Sequence, residues 1–282
     1  FIGIDQTGSV DSTLEINENN IGDSLTSTPA ITFSSVAHGS AVVRGISNVQ
    51  TSNTTGTASV SINKNRLYGF IHSSGSSNSH TYILCNHTTS TNSNFEIEEN
   101  EFINITANIS GDVRFIHSQG AMASFAGAHL SVSNNKIVGT FSKSLSGGNV
   151  YLYHAAGNSS TGNSMIESGN DFSNITLTGT TLMRGWYNNE GVSAAGPEKS
   201  IVNNVFENWI CGTTGTGTTN AIYCNWASGN SEVSKNRIYN ITAPASLNGI
   251  LSASEDADSL AFNGNSLIDL KSIGNGYEIA MF

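Results

Sequence analysis

The chain has 282 residues, of which 37% are hydrophobic and 11% charged, and its formal net charge is −10. A negative, charge-poor chain is repelled by phosphate, so neither nucleic acid nor an anionic membrane surface is an expected partner. No apolar run approaches the roughly 18 residues of a membrane span, and the opening Phe1-Ile2-Gly3-Ile4-Asp5 lacks the basic start of a signal peptide.

Along the chain, an asparagine returns at Asn19, Asn65, Asn100, Asn135, Asn170, Asn204, Asn236 and Asn265, at intervals of 46, 35, 35, 35, 34, 32 and 29 residues. A fixed period near 35 residues marks a repeat architecture. Three residues before each asparagine stand Ile16, Ile62, Ile97, Val132, Glu167, Ile201, Val233 and Phe262. Two residues after it stand Ile21, Leu67, Phe102, Ile137, Phe172, Phe206, Ile238 and Leu267. Glu167 is the exception among these apolar positions. Four residues after the asparagine come Asp23, Gly69, Asn104, Gly139, Asn174, Asn208, Asn240 and Asp269. Only Gly, Asn and Asp occur there, the types that tolerate positive φ, so this column predicts a bend.

A later run closes each repeat: Thr81 to Cys85, Val113 to His117, Val150 to His154, Thr181 to Gly185, Ala221 to Asn225, Gly249 to Ala253 and Tyr277 to Met281. Short β-branched and aromatic runs bounded by Gly, Ser, Asn and Thr read as strands, and no stretch sustains a helical period. An all-β chain of like units must bury its apolar positions by stacking one unit on the next, about 4.8 Å per rung. An inward asparagine then bonds the amide one rung away and the backbone of its own turn, forming a ladder.

The pattern apolar-x-x-Asn-x-apolar-x-Gly/Asn-apolar, repeated from Ile16 onward, resembles the right-handed parallel β-helix repeat of the pectate-lyase-like solenoid superfamily, phage tailspikes and long bacterial surface proteins. The expected fold is one all-β domain over residues 1–282, a right-handed parallel β-helix of about eight coils of roughly 35 residues. The Ser/Thr/Asn/Gly-rich style further resembles giant secreted bacterial surface proteins. That resemblance implies an extracellular or cell-surface protein. Both termini stop within the repeat, so the chain is expected to be a slice of a longer polypeptide. Its expected partners are further segments of that polypeptide or identical subunits, with cell-surface polysaccharide as a candidate ligand.

Enzymes of this fold imply paired aspartates with a Gly-His-Gly motif, or Asp-rich calcium sites with a catalytic Arg. Here Ala37-His38-Gly39-Ser40 stands apart from any aspartate pair, and Glu96, Glu98, Glu99 and Glu101 alternate around Ile97 as a solvent face would. No catalytic residue is assigned, and no cofactor is expected. Glu255, Asp256 and Asp258 form the one loop a calcium ion would choose, with a solvated loop as the alternative.

Two further sets are candidates. Cys85, His117 and His154 end three successive late runs, and a shared position would place them about 4.8 Å apart in a column able to share a transition metal. Packing at a corner is the alternative. Trp186, Tyr187 and Trp226 follow late strands on adjacent coils, where an aromatic pair covers a sugar ring or fills space between loops. Three cysteines are too few for a disulfide scaffold; Cys211 and Cys224 share a repeat and either pair across a loop or pack as small buried side chains.

The two functions that remain are a non-enzymatic structural or adhesive segment of a large extracellular surface or appendage protein, and a carbohydrate-active or carbohydrate-binding solenoid.

Overall fold

In a computed structural model the chain winds into a parallel β-solenoid. The structure describes residues 1–10, 12–22, 31–33, 42–49, 57–73, 75, 77–86, 92–119, 127–156, 162–189, 198–212, 217–225, 230–253, 259–273 and 279–281. Every strand pairing is parallel, and no described residue is helical. Three sheets run the length of the stack. Sheet A has nine strands, from Ile2–Thr7 to Ile279–Met281; sheet B has eight, from Thr13–Glu15 to Ser259–Asn263; sheet C has ten, from Asn20–Ile21 to Ser266–Ser272.

Each coil visits the sheets in the order B, C, A. The sheet B strand Asn94–Glu98 alternates: Phe95 and Ile97 are buried, while Asn94, Glu96 and Glu98 are half-buried on the outer side. The next residues turn the chain inward on the ladder asparagine. Asn135 shows the pattern. Its Nδ2 donates to Asn170 Oδ1 at 3.0 Å and to Ile97 O at 2.8 Å, and its Oδ1 accepts from the backbone N and Nδ2 of Asn100 at 3.0 and 2.9 Å.

The same amide-to-amide bond joins Asn19 to Asn65 and continues unbroken to Asn265. Its steps are 46, 35, 35, 35, 34, 32 and 29 residues long. A 35-residue coil therefore describes the stretch from Asn65 to Asn204. The first turn is longer and the last two are shorter than a uniform repeat requires.

The bend column behaves as its residue types demand. Gly69, Asn104, Gly139, Asn174, Asn208, Asn240 and Asp269 all have φ between 50 and 79°; Asp23 lies outside the described residues. A second positive-φ column sits directly before the ladder, at Glu18, Lys64, Glu99, Asn134, Gly169, Asn203, Lys235 and Gly264. Most of these are not glycine, and each non-Gly residue there carries roughly 1–2 kcal/mol of strain. Backbone bonds hold the turn in place, as from Lys64 N to Glu98 O at 2.9 Å and from Arg66 N to Asn19 O at 2.8 Å. Outside the ladder, Glu101 lies between Arg66 and Lys136 at 3.0 and 2.9 Å, an exposed alternation of charge that contributes about 0–1 kcal/mol per pair.

The interior is one continuous apolar cluster reaching from Val10 to Ile250. In its middle, rings from the two flanking sheets interlock: Phe115 of sheet A meets Tyr82, Phe102 and Phe141 at centroid distances of 5.3, 5.1 and 4.9 Å. Sheet A departs from alternation. Phe115 and Ile116 are both fully buried, as are Leu152 and Tyr153, so each strand sends two successive side chains inward before the next points out.

Candidate functional site

That doubled inward step decides which side chains share the outer face of sheet A. Arg114 pairs with Thr81, Tyr151 with Arg114, and Arg184 with Tyr151, forming one outward row. Three residues on, the second row runs Leu84, His117, His154, Tyr187, Tyr223 and Leu251. His117 and His154 thus share a column as expected, with rings stacked at 4.8 Å and 7° between planes.

Cys85 does not join them. It pairs with Ser118, points into the core, and its sulfur accepts from Asn48 Nδ2 at 3.6 Å. Counting five residues into each late run sets Cys85 level with His117, where the register puts Leu84, and a shift of one moves a strand side chain to the opposite face. Among the described residues no three His, Cys, Asp or Glu side chains group as a metal site.

The aromatic set is corrected for the same reason. Trp186 pairs with Ile222, is fully buried, and packs on Tyr153 at 4.6 Å, so it covers no ligand. Trp226 lies outside the described residues, as do His38, Glu255, Asp256 and Asp258. Tyr187 is the outward member, and its column partner is Tyr223, stacked at 4.7 Å and 14°. Cys211 and Cys224 are buried and unbridged, which matches the packing alternative.

The outer stripe is therefore His117, His154, Tyr151, Tyr187 and Tyr223 with Arg114 and Arg184. Arg114 binds Asp112 at 2.6 Å, lies 5.2 Å from the Tyr151 ring centre, and donates from Nε to His154 Nδ1 at 3.2 Å. That bond requires Nδ1 to be unprotonated, which leaves the proton of the neutral ring on Nε2. Arg184 lies 4.9 Å from the Tyr187 ring centre. His117 stacks on His154 and Tyr187 on Tyr223, so these pairs cover one another's faces, while Tyr151 is buried against His154. What the stripe offers a ligand is the half-buried Tyr187 and Tyr223 beside the Arg184 guanidinium, rather than an open aromatic platform.

Burial, neighbouring His154 and the Arg114 charge hold His117 down to about 3, and burial with Arg114 holds His154 down to about 4. A second pair, His72 and His80, is bonded ring to ring at 3.1 Å inside the first coils, and burial with the His72 neighbour lowers His80 to about 3. The sign follows. Above the ordinary histidine value of 6.5 these rings are neutral in both folded and unfolded chains, and stability is full. Below it the unfolded chain takes up protons that the folded chain refuses, so stability is lost as pH falls from 6.5 toward the folded values. The thermal midpoint should drop between about pH 7 and about pH 5, and His80→Phe, which keeps a ring in place, should shrink that drop. A flat profile in the parent protein would contradict the neutral, buried assignment.

None of the described residues forms a helix long and apolar enough to cross a membrane. Set beside family models, curated proteins and solved structures, the chain has no match in any of the three.

Proposed function

We propose that the chain is a non-enzymatic structural segment of a large extracellular surface or appendage protein, a rigid spacer whose outer face of sheet A serves adhesion. The observation that carries this reading is the asparagine ladder, bonded amide to amide without a break from Asn19 to Asn265. Such a ladder fixes the stacking of every coil on the next and makes the unit extensible by repetition, which is what a spacer requires and what a single pocket does not. The low share of charged residues and the Ser/Thr/Asn-rich surface support an extracellular setting. Further segments of the same polypeptide or identical subunits are the proposed partners.

The second reading, a carbohydrate-active or carbohydrate-binding solenoid with cell-surface polysaccharide as ligand, is favoured by one feature. Arg184 lies against Tyr187 beside the Tyr187–Tyr223 stack, a cationic and phenolic edge suited to acidic sugars.

One experiment separates the two. Incubated with acidic and neutral polysaccharides, the purified protein should release neither ultraviolet-absorbing unsaturated products nor new reducing ends above buffer, while small-angle scattering of the full-length protein should give a rod. Product release, or a compact envelope, would overturn the spacer.

A further inference from the structure

Lys143, Glu167 and Lys199 are the buried Lys, Arg, Asp or Glu side chains among the described residues. Lys143 is accounted for: its Nζ donates to Leu145 O at 2.6 Å, Gly147 O at 2.8 Å and Thr181 Oγ1 at 3.1 Å. Glu167 and Lys199 are 1% and 2% exposed and lie on consecutive strands of sheet B. Glu167 pairs with Ile201, and Lys199, two residues earlier on that strand, pairs with Met165. Both positions face inward, one rung apart.

Asn188, fully buried, lies near the end of the Leu182–Asn189 strand of sheet A, the strand the chain follows between those two sheet B strands. Its Nδ2 donates to Glu167 Oε2 at 3.0 Å, and Trp186 Nε1 donates to the same oxygen. Asn188 Oδ1 has no hydrogen-bond partner among the described residues, and the Tyr153 hydroxyl also lies against Glu167. The buried side chains of Trp186, Tyr153 and Cys224 surround the group.

We propose that Lys199, Asn188 and Glu167 form a self-processing site, in which the Lys199 amine attacks the Asn188 carboxamide carbon to make an intramolecular isopeptide bond. The amine lone pair forms the new Nζ–Cγ bond, the Cγ–Nδ2 bond breaks, and Nδ2 departs as ammonia. The proton lost by Nζ passes to the leaving nitrogen through the Glu167 carboxyl group. Oε2 already holds the leaving group. Glu167 ends as it began. No electrons change hands and no cofactor is consumed.

The surroundings favour the reactive protonation states. Burial lowers Lys199 to about 7, with Glu167 opposing, so a fraction of neutral amine is present at neutral pH; burial also raises Glu167, with Lys199, Asn188 and Trp186 opposing. Stability alone gives little reason for a buried carboxylate and ammonium, since apolar residues of similar volume often serve as well or better. A covalent product removes the lysine's titrating amine from the core. It also fastens the end of one coil's sheet A strand to the start of the next coil's sheet B strand, and it stands whether or not the spacer reading does.

Intact-mass spectrometry of the folded, purified chain tests it. The mass should be about 17 Da below the sequence mass, one ammonia, and a digest should yield a branched peptide joining Asn188 to Lys199. Glu167→Gln and Lys199→Arg should each show the full sequence mass of the variant, and Asn188→Asp should lose about 18 Da, one water. The wild-type mass decides even if a variant fails to fold. A wild-type chain at its full sequence mass overturns the proposal. So does a loss of that size that maps to a succinimide at Asn248-Gly249 or Asn263-Gly264.

Discussion

Asn135→Leu should lower the stability of the folded chain by about 4 kcal/mol, because the substitution orphans several buried groups at once and each costs roughly 1–3 kcal/mol. Ile97 O loses a donor, the backbone N and Nδ2 of Asn100 lose their acceptor, and Asn170 Oδ1 loses one of its two donors. Leucine has the same number of side-chain heavy atoms, so the substitution leaves no cavity to explain the loss. Water has no route to the orphans, since Asn100, Asn135 and Asn170 are fully buried. Asn19→Leu provides the control. Asn19 is half-buried at the start of the ladder and donates to Asn17 O and Asn65 Oδ1, while none of the ladder asparagines precedes it on a further rung. Denaturant unfolding followed by the fluorescence of buried Trp186 and Trp209 measures both. An Asn135→Leu shift no larger than that of Asn19→Leu would show that the ladder does not hold the coils together.

The two columns of positive φ show how far the sequence speaks for itself. The column four after the asparagine was legible because every copy uses Gly, Asn or Asp, and all seven described members adopt the conformation those types permit. The column just before the asparagine adopts it as well, yet it holds Glu18, Lys64, Glu99 and Lys235, whose types announce nothing. There the neighbouring coil's backbone bonds override local preference.

The register of sheet A was illegible for a related reason. Period-two reasoning fails where Phe115 and Ile116 both turn inward, so Cys85 and Trp186 fall on the inner face, while His117 and His154, in runs of the same shape, share an outer column. Glu167 stood out in an apolar column from the start. Its company did not, because Lys199 and Asn188 occupy different columns and meet it only once the pitch of the coil is known.

Phe115→Ala should cost about 3–5 kcal/mol, the range for removing a fully buried aromatic ring together with the cavity it leaves. The ring makes edge contacts with Phe102 and Phe141 and lies 5.3 Å from Tyr82 and 6.1 Å from Phe172, so its loss opens a gap lined by residues of four successive coils. Those neighbours cannot close in cheaply. Phe102 and Phe141 sit on strands of sheet C fixed on both sides by parallel pairing, and moving one inward would break the register of the coils above and below. Phe115→Leu keeps most of the volume and should cost clearly less, about 1.5 kcal/mol. Phe262→Ala, at a half-buried ring of the last sheet B strand, should cost less than Phe115→Ala because water already reaches part of that surface. The three variants, ranked by thermal midpoint, test whether the middle of the stack is packed as a solid. If Phe115→Ala melts no lower than Phe262→Ala, the interlocked rings contribute no more than ordinary burial, and the rigidity ascribed to the solenoid rests on the asparagine ladder alone.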